Sequence, residues 1–225
     1  MQPTQPQDPA VTPPDDDAGQ PARPRARPKP GERRVHILQT LAAMLEAPRI
    51  EKITTAALAA RLAVSEAALY RHFPSKAKMF EGLIDFIEET FFGLINQIVA
   101  KEQDGVLQAR AIALMLLNFA EKNPGMTRVL TGEALVGEHA SLSERVNRLL
   151  DRVEASLRQC LRVARSAADG AAEPGAVPLP ADYDPAVRAS LLLNFVLGAW
   201  SQYARSGFAK PPGEHSDAKL RLILQ

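Results

Sequence analysis

Cysteine is almost missing from these 225 residues: Cys160 stands alone, and without an intrachain partner it excludes a disulfide framework. Long apolar runs are missing too. No stretch approaches the ~18 to 20 residues that a membrane span needs, and the Pro- and Asp-rich start lacks the pattern of a secretory signal, so the chain reads as soluble and cytoplasmic. The four histidines, His36, His72, His139 and His215, are scattered, with no His-Glu-x-x-His and no Cys-x-x-Cys to hold a metal. There is no Gly-rich phosphate loop and no Gly-x-Ser-x-Gly elbow, so neither an enzyme nor a cofactor is expected. Net charge is scarce as well, at +1, which taken whole argues against a nucleic-acid partner.

What the chain does have is charge in blocks. Residues 1 to 20 hold four Asp and no Lys or Arg, a balance of −4. Between 21 and 80, twelve basic residues (Arg23, Arg25, Arg27, Lys29, Arg33, Arg34, Arg49, Lys52, Arg61, Arg71, Lys76 and Lys78) face four acidic ones, giving +8. The stretch from 81 to 225 sets fifteen basic against eighteen acidic residues, giving −3. Near-neutrality is therefore a cancellation, and the asymmetry points to a basic contact surface on one part of the molecule.

Nine of the 18 prolines fall in the first 30 residues, where almost no apolar side chain exceeds alanine. Such a segment cannot offset its ordering entropy, and residues 1–30 read as a disordered Pro/Arg-rich tail. Its last ten residues, PARPRARPKP, put a cation at roughly every second position on a chain that proline keeps extended. Two readings stand side by side: an arm lying along phosphates or in a minor groove, and a solubilising tail with incidental charge.

From Glu32 the pattern is helical throughout, with no strand alternation and no fixed-period repeat, so the class is all-α. Val35, Leu38, Leu41, Ala42 and Leu45 form one apolar stripe ending before Pro48. Thr54 or Thr55 can cap a second helix, and Ser65 a third that stops at Pro74. Ser75 caps a longer fourth, whose Phe80, Leu83, Ile84, Ile87, Phe91, Leu94, Ile95 and Ile98 share a face to about Ala100. The run after Asp104 is apolar on most sides, as a buried helix should be, up to the Asn123-Pro124-Gly125 turn. A short helical piece follows to about Gly132. From Ser141 to Arg165, Leu142, Val146, Leu149, Val153, Leu157 and Leu161 make a nearly heptad stripe that needs a partner, with Cys160 packed beside it. A loop at 169–185 leads to a strongly apolar helix over 186–206, containing Trp200 and Tyr203, and a short helix at 216–224 closes the chain.

The segment ITTAALAARLAVSEAALYRHFPSK, 53 to 76, has the spacing of two short helices joined by a tight turn, a helix-turn-helix. Small residues are needed where the helices touch (Ala57, Ala60), an anchor after the turn (Val64), and Ala67 and Ala68 let the second helix approach a groove wall. Its free N-terminal amides and the Ser65 hydroxyl suit a phosphate oxygen, with Tyr70, His72 and Lys76 at the far end. The alternative is a helical hairpin inside a bundle.

The run ALAARLAVSEAALYRHFPSKAKMFEGLI resembles the DNA-binding domain of the TetR-type regulators, including a Tyr-x-x-Phe-x-x-Lys ending at Tyr70, Phe73 and Lys76. Over most of 32–225 the strings ILQTLAAMLE, VSEAALYRHFPSKAKMFEGLIDFIEET, NPGMTRVLTGEAL and RVNRLLDRVEASLRQCLR are similar to the nucleoid occlusion branch of that family. The resemblance implies a 31–76 helix-turn-helix DNA-binding domain (motif 54–73) and a 77–225 helical dimerisation and partner-binding domain with the long amphipathic helix 141–165. It implies a nucleoid-associated homodimer on palindromic double-stranded DNA that, when bound, antagonises the tubulin-like division GTPase FtsZ. DNA contacts would fall on Thr54, Thr55, Ser65, Tyr70, Arg71, His72 and Lys76, mostly to phosphates, with Ala67 and Ala68 at base edges. Phe86 and Glu89 would meet the FtsZ tail.

On its helix Phe86 shares a face with Gly82, Glu89 and Gly93, which marks either a docking site or a contact with the first helix of its own domain. Three features depart from the family pattern. Ala63 stands in the turn where Gly is frequent, and a left-handed backbone there costs Ala ~1 kcal/mol. Leu94 replaces a basic residue, which bears on the partner surface, and the tail and the 169–185 loop are additions.

The helices at 141–165 and 186–206 are expected to pair with a second copy, their recognition helices about one DNA turn (~34 Å) apart. The alternative function is a ligand-responsive TetR-type transcriptional repressor with a small molecule in the C-terminal core. An inducer cavity needs converging polar groups, whereas the 106–120 run is almost purely aliphatic, so no small-molecule ligand and no membrane partner are expected.

Overall fold

The computed structural model describes residues 31–47, 52–170, 179–180 and 182–224. The expected 1–30 tail, and 171–178 and 181 of the expected 169–185 loop, lie outside the described residues. Among those described, every regular element is a helix: α1 (Glu32–Met44), α2 (Thr55–Arg61), α3 (Glu66–Tyr70), α4 (Lys76–Lys101), α5 (Gly105–Lys122), α6 (Pro124–Leu130), α7 (Ala140–Gly170), α8 (Pro185–Arg205) and α9 (Ser216–Leu224). A single 3-10 turn at Glu133–Leu135 joins α6 to α7.

Helix starts follow the capping chemistry. The side chains of Thr54, Ser65, Ser75, Asp104 and Asp184 accept from the first free amides of α2, α3, α4, α5 and α8. Each such cap is worth about 1 kcal/mol. Proline at the first position starts α6 and α8, where its missing N–H is no loss. Helices as short as α2 and α3 do not persist alone. They are held by burial of Leu58, Ala59, Leu69 and Phe73 against Ile37 and Leu41 of α1 and Met79 and Phe80 of α4, all in one continuous core.

α4 links the two ends of the molecule. Gly82 in its first half lies against Leu38 of α1 and Phe73. In its second half Phe91 meets Phe119 of α5 edge-on at 4.8 Å and Trp200 of α8 at 6.2 Å. α6 ties α1 to this body: a Cβ on Gly125 would collide with the Ala42 carbonyl, so only glycine permits the approach. Next to it the buried Arg128 guanidinium donates to the carbonyls of Leu45 (2.7 Å) and Ala47 (2.6 Å) just past the end of α1. It also pairs with Glu133 at 3.3 Å and lies over the Phe208 ring.

Three local expectations change. In α1 the buried stripe is Ile37, Leu41, Ala42 and Leu45, while Val35 is 53% exposed, because the helix is turned to set Ile37 inward. Ala57 and Ala60 are exposed, and Leu58 and Ala59 form the buried face of α2. The α7 stripe, expected to seek a second chain, is consumed within this one: Leu142, Val146, Leu149, Val153, Leu157 and Leu161 are all buried, with α5, α8 and α4 packed against the helix.

Candidate nucleic-acid interface

The turn between α2 and α3 runs through Ala63 at φ 53, a left-handed backbone held by a non-glycine residue. The Val64 amide closes it on the Ala59 carbonyl at 3.0 Å. This sets α3 across α2, with Leu69 fully buried beneath and Ala67 exposed on the outer face; Ala68 is half-buried.

Polar residues fix the same face. Thr54, not Thr55, caps α2, accepting from the Ala57 amide at 3.1 Å. The Thr55 hydroxyl instead donates to the Glu66 carboxylate at 2.6 Å and receives the Tyr70 hydroxyl at 3.4 Å. Tyr70, 43% exposed, is thereby braced along the outer side of the helix pair. Ser65 accepts from the Ala68 amide at 3.2 Å, and its hydroxyl keeps a hydrogen to donate. Arg71 is exposed, and His72 is half-buried, its carbonyl taken by the Arg34 guanidinium at 2.6 Å. That guanidinium also stacks over Phe73 at 4.2 Å.

Lys76 is placed differently from its expected phosphate role. It opens α4 with its ammonium paired to the Glu138 carboxylate, both side chains mostly buried, at 21% and 12% exposed. A cleft of about 230 Å³ surrounds the pair, with Leu45, Ile53, Phe80 and Val136 among its walls. Thus Thr54, Ser65, Ala67, Tyr70 and Arg71 are exposed, Thr55 and Ala68 are half-buried, and Thr55 links α2 to Glu66 and Tyr70 of α3, while Lys76 is paired with Glu138.

Phe86 lies on α4, 48% exposed, with Glu89 exposed one turn on and Gly93 open beyond. One turn before it, Gly82 lies against Leu38 of α1. Leu94 is half-buried. The neighbouring flank of α4 carries ion pairs to α7, Arg145 with Asp85 and Arg152 with Glu88, and the Arg152 guanidinium covers Phe92 at 4.0 Å.

Sequence reasoning missed Glu138, Arg34, Glu66 and Arg128. Glu66 had a local signal, an acid at the first turn of a helix. The other three act over 38 to 83 residues of chain, and no periodicity announces them.

Residues 37–83 match the family described as bacterial regulatory proteins, tetR family, and residues 103–225 the SlmA-like form of the tetracyclin repressor-like C-terminal domain. The nucleoid occlusion factor SlmA of Idiomarina loihiensis is 49% identical over 193 residues, 86% of this chain and 94% of that relative. The TetR family transcriptional regulator PfmR from Thermus thermophilus shares the fold with a TM-score of 0.65 at 21% identity, over 84% of this chain and 96% of its own. AibR, solved in complex with isovaleryl coenzyme A and operator DNA, gives 0.65 at 16% identity, over 85% and 98%. The chain belongs to the SlmA family, on the TetR fold.

Proposed function

We propose that this SlmA-family chain is a nucleoid occlusion factor: a DNA-binding homodimer without catalytic activity that, on chromosomal palindromes, inhibits FtsZ ring assembly and so prevents division over the nucleoid. The observation that carries this reading is the near full-length match to curated SlmA proteins, joined to a helix pair whose outer face presents Thr54, Ser65, Ala67 and Tyr70. Thr54, Thr55, Ser65, Tyr70, Arg71 and His72 contact phosphates, which position the protein. Ala67 and Ala68 approach base edges, and Lys76 joins the phosphate contacts on leaving Glu138. With so few base-reading side chains, part of the specificity comes from DNA shape.

Dimerisation uses the outer face of α8, where Val187 and Leu191 are 55% and 50% exposed, Phe195 is half-buried and Gly198 is open, at one helical spacing. The two-fold operation sets the recognition helices about one DNA turn (~34 Å) apart. Phe86 and Glu89 receive the FtsZ tail.

The isovaleryl coenzyme A bound in AibR gives the repressor reading a specific basis. Against it, the space between α4, α5 and α8 is filled by Phe91, Phe119 and Trp200, whose indole N–H donates to the buried Leu116 carbonyl at 3.2 Å. GTP-driven FtsZ assembly, followed by light scattering with the chain alone and with a palindromic duplex selected by it, separates the two. Inhibition that requires the duplex supports nucleoid occlusion. No effect on FtsZ, together with release of the duplex by an acyl coenzyme A, supports the repressor.

A further inference from the structure

Glu66 is an acid within the most basic part of the chain. Residues 21 to 80 carry +8, yet α3 opens on this carboxylate, exposed beside Ala67. Among the described residues no cation pairs with it, and its one hydrogen bond is the 2.6 Å donation from the Thr55 hydroxyl to Oε2. Thr55 in turn receives the Tyr70 hydroxyl at 3.4 Å. Tyr70 stands four residues beyond Glu66, about one helical turn, so a carboxylate, a hydroxyl from α2 and a phenol line one side of α3. Leu69 is fully buried on the other side. Oε2 is therefore fixed from a second helix, and Oε1 is left open to whatever meets α3.

A helix dipole favours an acid in the first turn, but α3 has only five residues and little dipole to offer. A carboxylate brought near phosphates weakens binding at any sequence. On this helix it is favourable only where it meets a donor.

We propose that Glu66 is a specificity-determining residue, whose Oε1 accepts a hydrogen bond from the N4 amino group of a cytosine in the major groove, once in each half-site. This rests on the DNA-binding reading above and deepens it: Ala67 and Ala68 bring only methyl groups to the base edges, and Glu66 adds an acceptor.

The groove's donor and acceptor pattern selects the base. Guanine presents acceptors at N7 and O6, and thymine one at O4, each of which repels a carboxylate. Adenine sets its N6 donor next to the N7 acceptor. Cytosine alone presents an amino donor with no acceptor beside it. Exclusion matters as much as attraction here, since the wrong base leaves a desolvated acid against an acceptor. The Thr55 brace holds the side chain before DNA arrives, so little rotamer freedom is lost on binding.

The test uses the full chain and a palindrome library randomised symmetrically. Selection by the wild-type protein should show one position in each half-site where cytosine is favoured about fivefold, the lower end for a base contact. Glu66→Gln keeps the shape and removes the charge. It should shift that one preference toward adenine, whose N6 and N7 suit an amide, leave the rest of the profile unchanged, and bind unrelated duplex more tightly. A duplex carrying N4-methylcytosine at the selected position keeps the base pair and loses the hydrogen on the groove side. Wild-type affinity for it should fall ~25-fold over the two half-sites, whereas Glu66→Ala should bind the methylated and ordinary duplexes equally.

Coincident profiles for wild type and Glu66→Gln, or full wild-type affinity for the methylated duplex, would overturn the base contact. A loss for Glu66→Gln spread evenly over all positions would also overturn it, leaving Glu66 as a brace for Thr55. The methylated duplex reads the wild-type chain, so it decides even where a variant fails to fold. Failure of the wild-type chain to bind any duplex would instead overturn the DNA-binding reading itself, so the two failures are told apart.

Discussion

The Lys76 ammonium, at the first turn of α4, is held by the Glu138 carboxylate from the connection between α6 and α7, 62 residues away. The pair joins the DNA-reading end of the molecule to its body. It also means that a phosphate seeking Lys76 competes with a carboxylate already in place.

Replacing Glu138 by glutamine removes that competitor. A partly buried pair of this kind is worth about 1 kcal/mol, so Glu138→Gln should tighten DNA binding about fivefold. Lys76→Ala should make the salt slope shallower by ~0.9. Fluorescence anisotropy across a salt series reads both. An unchanged slope for Lys76→Ala would leave Lys76 as a tie to the body only.

Ala63 holds a left-handed backbone in the helix-turn-helix while its side chain is exposed, so glycine there relieves strain without removing packing. Ala63→Gly is expected to stabilise the protein by up to ~1 kcal/mol, a rise of about 2 to 4 °C in Tm for a chain of this size. Calorimetry that found a lower Tm would mean that the turn is not strained.

Phe86 contributes little to the core at 48% exposure, so Phe86→Ala should fold and bind DNA normally. If it anchors the FtsZ tail, truncation costs ~2 kcal/mol, about thirtyfold in affinity for an FtsZ tail peptide. Unchanged peptide affinity in a folded, DNA-competent variant would end the docking role.

Cys160 is buried at 4% exposure beside the α7 stripe, and burial pushes its thiol pKa up, opposed only by a weaker backbone hydrogen bond. Less thiolate forms at neutral pH, so iodoacetamide should label native protein far more slowly than urea-unfolded protein. The folded pKa lies above the unfolded one. Its contribution to stability is therefore complete below the ordinary thiol range and is lost as pH rises from about 8.5 toward the folded value. Equal labelling of native and unfolded chains at pH 7.5 would refute this.

The helical class, the order of the elements and the helix-turn-helix were legible because their signals are local. Apolar spacing of three and four residues, Thr and Ser caps, and Pro at helix ends act within one or two turns of chain. The block of positive charge was visible once the average was divided by position. Helix ends were less so: α7 runs to Gly170 rather than Arg165, since no breaker stands between them.

Which faces were spent was not legible. The amphipathic stripe of α7 looks the same whether it packs on another chain or on α5 and α8 of its own, because periodicity reports that a face is apolar and not what covers it. The same holds for charge. Lys76 reads as a free cation in sequence, and only the approach of the α6–α7 connection makes it half of an ion pair. Arg34 becomes a brace for the recognition helix, and Arg128 a clamp on the end of α1, because folding carries their guanidinium groups to carbonyls 38 and 83 residues away. The sequence by itself determined the helices, their caps and the sign of the DNA-facing end, since these depend on near neighbours. The tertiary structure alone decided which charges are already satisfied and which apolar faces remain open, since that depends on helices distant in the chain meeting in space.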